Sequence, residues 1–178
     1  MIQNERDIRK ENIIQAARQM MIAARTAPKG KGIDLIELAL VTDAEIHLLS
    51  EEMQKIAVEK NLIFFQRDSD NILQADAVMI LGTRQQSHGL NCAYCGFPTC
   101  MSKPMETPCA INTVDLGIAI GSACAKAADL RVDTRVMFSA GFAAKRLGLL
   151  GADCECVIAI PVSATSKNPF FDRKTQKP

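Results

Sequence analysis

The chain has 178 residues, of which 48% are hydrophobic and 23% charged, a composition typical of a soluble globular protein. Its net charge of +1 gives no reason to expect a nucleic-acid or acidic-membrane partner, and no apolar run is long enough to predict a membrane span. The N-terminus is polar and mixed in charge, unlike a signal peptide, so we expect a cytoplasmic protein. We expect residues 1–178 to form a single domain.

The first third of the chain predicts two helices around a strand. Residues 8–25 carry apolar side chains at helical spacing and predict an amphipathic helix. Residues 26–32, with two glycines, two lysines and a proline, end that helix in a loop that either cradles a phosphate or forms a plain surface turn. Residues 34–42 predict a strand, and residues 43–61 predict a second helix.

The middle of the chain predicts a short edge segment, a strand and a long helix. Residues 64–73 predict the edge segment followed by a helical turn, and residues 75–81 predict an apolar strand that ends at Gly82. Residues 107–128 predict the long helix, for which Asn112 is a candidate cap with Asp115 at its third position.

The last elements predicted are a helix and a strand. Residues 133–149 predict the helix, and residues 154–162 predict a third clear strand. Because side chains alternate along a strand, Cys154 and Cys156 are expected to point to the same face. We expect both to be structural.

Four cysteines fall within eighteen residues, at the spacing C-x2-C-x4-C-x8-C. Glycines and prolines interrupt this stretch, so residues 88–110 are predicted to form a loop, called here the cysteine loop. Four thiolates suit either an iron–sulfur cluster or a structural zinc ion. The uneven spacing, closed by Pro-Cys, favours the cluster; zinc, bare thiols and a disulfide remain as alternatives. The candidate metal ligands are Cys92, Cys95, Cys100 and Cys109.

Neither histidine is predicted to be a metal ligand. His88 lies four residues before Cys92 and is expected beside the site or at the surface, whereas His47 is expected to be a surface or packing residue. The total of seven cysteines is odd, and four of them share one loop. That usage favours a reducing compartment over a secreted disulfide framework.

The cysteine run resembles a known kind of cluster-binding loop. Cys92-Ala-Tyr-Cys-Gly-Phe-Pro-Thr-Cys100 is similar to the loop of corrinoid iron–sulfur proteins and related ferredoxin-like modules. The resemblance implies a four-iron, four-sulfur cluster, with Cys109 as the fourth ligand.

The whole chain resembles a prokaryotic family of ferredoxin-domain proteins of unknown function, which are similar to shortened nitroreductases with the cysteine loop inserted. Residues 23–28 resemble the nitroreductase turn beside the flavin, although Lys29-Gly-Lys-Gly32 follows where nitroreductases carry Ser and Asn. Residues 115–128 resemble their central helix, and residues 147–161 their closing strand.

That resemblance implies an α+β fold, with a helix-flanked mixed or antiparallel sheet, and a homodimer with FMN at its interface. The candidate flavin contacts are basic residues near the first turn and in the C-terminal tail: Arg25, Lys29, Lys31, Lys167 and Arg173.

Three functions remain open from the sequence. The first is an iron–sulfur redox protein that exchanges electrons with a flavin or a redox partner protein, and so a candidate flavin-linked oxidoreductase. The second is a structural zinc protein, in which the metal supplies folding energy alone. The third is a flavin-free enzyme or non-catalytic binding module on a nitroreductase-like scaffold. With only two histidines and no Ser–His–Asp set, the catalytic residues are unknown and hydrolase chemistry is poorly supported.

Overall fold

The structure is a computed structural model that describes residues 1–171. Four strands form one antiparallel sheet in the order β1-β2-β4-β3, flanked by five helices, as the α+β prediction requires. The elements are α1 (Glu5–Thr26), β1 (Ile36–Val41), α2 (Ala44–Lys60), α3 (Ile63–Ile72), β2 (Ala77–Arg84), α4 (Ala110–Asp129), β3 (Asp133–Thr134), α5 (Phe138–Arg146) and β4 (Cys154–Ser163). A short 3-10 turn, Gly30–Gly32, lies between α1 and β1.

The central strand β2 is buried on both faces of the sheet. Val78 and Ile80 pack into one apolar cluster, and Met79 and Leu81 pack into another on the opposite face. The first cluster holds the buried sides of α2, α3 and α5, and the second holds those of α1 and α4. The molecule therefore has three layers, with the sheet in the middle.

Residues 64–73 were predicted as an edge segment with a helical turn, and this prediction is wrong. Residues 64–72 belong to α3, whose buried residues are Phe65, Asp68, Ser69, Asn71 and Ile72. Three of these five buried positions are polar, so the apolar period of the helix is not visible in the sequence.

The predicted helix over residues 133–149 begins too early. Asp133 and Thr134 pair with the end of β4, and the Met137 backbone forms a bridge with Ala159. These contacts hold the first part of the segment extended, so α5 begins only at Phe138.

Strand β2 continues through Gly82 to Arg84, rather than ending at the glycine. A Cβ added at Gly82 would lie 2.6 Å from the Cys154 sulfur, so this position packs too closely for any other residue. Opposite it, the pairing of β2 with β4 shifts by one residue, and Cys156 adopts a positive φ of 51°. This bulge sends Cys154 and Cys156 to opposite faces, contrary to the prediction.

Among residues 1–171, no helix is long and apolar enough to cross a membrane.

Candidate metal centre and its surroundings

The cysteine loop joins β2 to α4 without helix or strand. Residues 89–108 are all described, and none of them is buried. Its backbone turns through left-handed conformations at Gly89, Asn91, Ala93 and Gly96. The loop therefore lies on the surface and contributes little to either apolar cluster.

Three of the predicted ligands, Cys92, Cys95 and Cys100, lie on this loop as partly exposed free thiols. Cys100 is held by Asn91: its backbone N–H donates to the Asn91 side-chain oxygen at 2.8 Å, and its sulfur accepts the Asn91 backbone N–H at 3.4 Å. Most other hydrogen bonds of the loop also join neighbouring exposed residues, as between Thr99 and Ser102.

The fourth predicted ligand, Cys109, is buried and lies immediately before α4, at its N-cap position. Asn112, predicted as the cap, is instead inside the first turn. Burial acts to raise the pKa of the Cys109 thiol, but the backbone N–H groups of His88, Asn112 and Ile111, with the charge of Lys103, hold the pKa below its usual value. The N–H groups at the start of α4 thus lie against the Cys109 sulfur, and the dipoles of the helix start favour its thiolate electrostatically.

Within residues 1–171, no group of three or more His, Cys, Asp or Glu side chains is arranged to hold a metal ion. A four-thiolate centre would thus require the loop to bring its three cysteines towards Cys109. The loop has no buried residue between 89 and 108, so such a movement would disturb local, exposed contacts and leave the core intact. The donor set of four free thiols fits an iron–sulfur cluster or zinc.

A buried polar cluster lies beneath the start of the loop. His88 Nε2 is 3.1 Å from Asp115 Oδ2, and both oxygens of Asp115 accept the Gly30 backbone N–H at 3.0 Å. The Asn112 side chain donates to the Arg84 carbonyl at 3.2 Å. The sequence predicted Asp115 only as a favourable carboxylate in the first turn after Asn112; the three-residue spacing of Asn112 and Asp115 was the signal that the two are neighbours on the helix surface.

The basic residues near the first turn, predicted as flavin contacts, have partners within the chain. Lys29 is 6% exposed at its side chain and donates to the carbonyls of Ala24 and Arg25, at the C-terminal end of α1. Arg25 pairs with Asp34 at 2.7 Å, and Lys31 donates to the His88 carbonyl at 3.2 Å.

The other two predicted flavin contacts, Lys167 and Arg173, come from the C-terminal tail of the sequence. The Lys167 carbonyl accepts a hydrogen bond from Thr165 Oγ1 at 2.5 Å, in the segment after β4. Arg173 lies outside the described residues.

An apolar pocket of about 410 Å³ opens between α4, α5 and β4. Its walls include Phe138, Phe142 and Leu116, and Lys145 lies at the pocket in an ion pair with Glu155. The lining also includes Cys156, at the bulge in β4. Burial raises the pKa of the Cys156 thiol, so the thiol is neutral at physiological pH.

The outer face of α4 is apolar and open. Val114 and Ile118 are exposed there, and a Cβ added at Gly117 or Gly121 would meet nothing within 4 Å. Small and apolar residues at helical spacing make a surface that permits close approach of another backbone.

Sequence comparison identifies the family. A curated protein from Archaeoglobus fulgidus, described as an uncharacterized protein, is 37% identical over 187 aligned positions that span 99% of this chain and all of the relative. The profile of the family described as "uncharacterized protein containing a ferredoxin domain (DUF2148)" matches residues 105–173. This chain belongs to the DUF2148 family. The matched region of this DUF2148 protein contains Cys109, α4, α5 and β4. The ferredoxin domain in the family description supports a redox protein in general.

Solved structures show the same fold at low sequence identity. A nitroreductase family protein from Clostridium novyi NT is 12% identical, covering 84% of this chain and 73% of its own, with a TM-score of 0.56. A Desulfovibrio desulfuricans protein described as a nitroreductase in complex with FMN is 13% identical, covering 92% and 79%, with a TM-score of 0.58. A BluB-like flavoprotein from Clostridium difficile 630 is 17% identical, covering 92% and 85%, with a TM-score of 0.57. The DUF2148 protein therefore has a nitroreductase-like fold.

Proposed function

We propose that this DUF2148 protein is an iron–sulfur electron carrier, with Cys92, Cys95, Cys100 and Cys109 as the ligands of a four-iron, four-sulfur cluster. One observation carries the proposal. Three partly exposed free cysteines lie in residues 89–108 of the loop, none of which is buried, and the fourth is fixed at the start of α4, where N–H dipoles favour its thiolate. Such a cluster would accept and release one electron at a time.

The lack of buried side chains in residues 89–108 of the loop supports this assignment. A segment that buries no side chain gains little from the hydrophobic effect to offset the entropy lost when it is ordered. Binding of a metal centre to several thiolates supplies that free energy, because the ligands then hold the loop together. The role of the loop residues is to bring three sulfurs to the fourth, and the role of α4 is to fix that fourth sulfur and favour its thiolate form.

The decisive experiment is anaerobic purification followed by assays of iron, acid-labile sulfide and zinc, with electron paramagnetic resonance of the reduced protein. We expect about four irons and four sulfides per chain and the spectrum of a reduced cluster. Stoichiometric zinc without sulfide would instead establish the structural zinc protein. Neither metal nor sulfide would leave a binding module on the nitroreductase-like scaffold.

We also propose FMN as a second redox group. The apolar pocket with Phe138 and Phe142 offers aromatic contacts, and FMN is named in the description of the Desulfovibrio desulfuricans structure. Lys29, Lys31 and Arg25, the basic residues near the first turn, form hydrogen bonds within the chain. Binding of the FMN phosphate by these side chains would therefore require contacts with the phosphate to replace those hydrogen bonds. Titration of the protein with FMN, followed by flavin fluorescence, tests this: quenching at equimolar FMN supports it, and no quenching at a large excess rejects it.

The proposal extends to the oligomeric state of the protein, its redox partner and its cellular compartment. We propose a homodimer that uses the open face of α4, and a separate redox partner protein that supplies or accepts the electron. Since all seven cysteines lie within the described residues and are free thiols, a reducing compartment such as the cytoplasm suits the chain.

A further inference from the structure

His88 lies where the cysteine loop leaves the fold, and it is 3% exposed. Its ring Nε2 lies 3.1 Å from Asp115 Oδ2, and the same carboxylate accepts the Gly30 backbone N–H. An ionised carboxylate only accepts hydrogen bonds, so the ring presents Nε2–H to Asp115. Nδ1 is then an acceptor, and it is buried without a hydrogen-bond partner among the described residues. The ring is thus oriented by one strong contact.

The backbone of His88 joins two further segments. Its carbonyl accepts a hydrogen bond from Lys31 Nζ at 3.2 Å, which ties the loop to the basic turn after α1. Its backbone N–H lies against the Cys109 sulfur. One residue therefore contacts the turn, α4 and a predicted metal ligand, although these are far apart in the sequence.

The neighbouring contacts hold the same entry point. Asn112 Nδ2 donates to the carbonyl of Gln86 at 2.5 Å, as well as to that of Arg84. Cys109, the N-cap of α4, and Asn112 and Asp115 in its first turns follow one another at intervals of three residues and contact residues 84–88. Beyond His88, the chain to residue 108 has no buried side chain. His88 is therefore the last buried residue before the unburied stretch of residues 89–108.

We propose that His88 is a positioning residue for the cysteine loop: its ring, held by Asp115, fixes the entry of the loop against the first turns of α4, beside Cys109. Breaking a buried hydrogen bond to a charged group is costly, so this contact keeps one conformation where the surface loop alone would not. The consequence for the metal site rests on the proposed function. N–H groups near a ligating sulfur tune the reduction potential of a cluster, so a displaced His88 backbone would change that potential.

The test uses two substitutions with a matched control. His88→Gln places an amide N–H close to the position of the ring Nε2 and retains the contact with Asp115. His88→Leu keeps a side chain of similar size without any donor. His47→Leu is the control, since His47 is the other histidine of the chain and lies exposed on α2.

Hydrogen–deuterium exchange of the full, metal-free chain reports positioning directly. In the His88→Leu variant we expect exchange of the peptides covering residues 84–89 and 109–115 to accelerate about tenfold, the effect of one lost buried hydrogen bond. His88→Gln and His47→Leu should match the wild type. Peptides within residues 77–83 of β2 report global stability. If they also accelerate in His88→Leu, Asp115→Leu is used in its place with the same expectation, because it removes the carboxylate that accepts the ring N–H.

The outcomes separate this proposal from the proposed function. Unchanged exchange in His88→Leu, or equal acceleration in His88→Gln, overturns the positioning role. In the protein loaded with its cluster, the reduction potential should shift in His88→Leu and stay constant in the other two variants. A cluster that loads with an unaltered potential despite faster exchange overturns the link to the metal site. If the wild-type protein takes up neither iron nor sulfide, the proposed electron-carrier function is refuted. The hydrogen–deuterium exchange measurements then decide by themselves whether His88 positions the loop.

Discussion

Ser139 Oγ lies 2.6 Å from Asp68 Oδ2 and donates a hydrogen bond across the interface of α5 and α3. The other oxygen of Asp68 accepts from Arg67 at 2.8 Å and from Arg135 at 3.1 Å. Arg135 also donates to the Phe170 carbonyl at 3.0 Å. One buried carboxylate therefore joins two helices and the segment that follows β4.

Asp68→Ala should lower the free energy of unfolding by about 3–5 kcal/mol, because it leaves Arg135 and Ser139 without their buried acceptor. Asp70→Ala is the control: Asp70 lies two residues further along the chain, is exposed, and should change stability by less than about 0.5 kcal/mol. Urea unfolding followed by circular dichroism measures both. Equal losses in the two variants would contradict the role of this carboxylate.

Gly141→Ala should destabilise the protein by about 3 kcal/mol, at the upper end of overpacking effects. A Cβ there would lie 2.2 Å from the Val157 carbonyl oxygen, and backbone of a central strand cannot easily withdraw. Gly117→Ala is the matched control on α4, where the added Cβ meets nothing within 4 Å and helix propensity improves by up to about 1 kcal/mol. Thermal melts of both variants provide the comparison, and a stable Gly141→Ala protein would show that α5 packs less closely on β4.

The buried Cys154 should make stability fall at alkaline pH. Burial, aided by the nearby acidic side chains of Glu37, Asp153 and Glu155, raises the pKa of the Cys154 thiol from 9.0 to about 11. Between those values the folded chain keeps a proton that the unfolded chain releases, so the stability contribution is fully present below pH 9 and declines as pH rises towards 11. A pKa difference of about two units between the folded and unfolded chain corresponds to roughly 3 kcal/mol in the free energy of unfolding.

Urea unfolding from pH 8 to pH 11 measures this decline, with Cys154→Ala as the comparison. We expect the loss of stability over that interval to be smaller in the variant. Parallel curves for the two proteins would show that other groups govern the alkaline limit.

Cys109→Ser should abolish or strongly reduce iron and sulfide content, because it removes the one predicted ligand fixed at the start of α4. Cys124→Ser is the control: Cys124 lies later on the same helix, and burial raises the pKa of its thiol, as expected of a structural cysteine. Metal and sulfide analysis after anaerobic purification distinguishes them. Full iron content in Cys109→Ser would remove Cys109 from the ligand set.

The proposed homodimer uses the open face of α4, so a single charged residue introduced on this face should disrupt it. Ile118→Glu places a carboxylate on this face and should produce monomers in sedimentation-velocity runs in which the wild type is a dimer. Val58→Glu is the control: Val58 is an exposed residue of α2, so this substitution should leave the oligomeric state unchanged. A monomeric wild type would reject the dimer, and a dimeric Ile118→Glu protein would move the interface elsewhere.

Periodicity and apolar runs correctly predicted α1, α2, α4 and the strands β1, β2 and β4 to within a few residues, because their apolar side chains pack into the two apolar clusters. It failed at α3, where two polar side chains face inward: Asp68 accepts a hydrogen bond from Ser139 on α5, and the Ser69 hydroxyl donates to the Gln66 carbonyl of its own helix. It also failed at Cys156, because a bulge depends on how two strands pair and leaves no mark in either strand alone.

The sequence by itself determined most of the helices and strands, the four-cysteine loop and its donor chemistry, since spacing and residue type are local properties, whereas the α+β class was implied by the family resemblance. Only the tertiary structure decided what surrounds that loop. The contacts of Asp115 with Gly30 and His88 join residues 85 and 27 positions apart, and Lys29 and Lys31, predicted as flavin contacts, donate to carbonyls of their own chain. Buried polar groups must find partners wherever the fold brings them, and those partners are fixed by packing rather than by proximity along the chain.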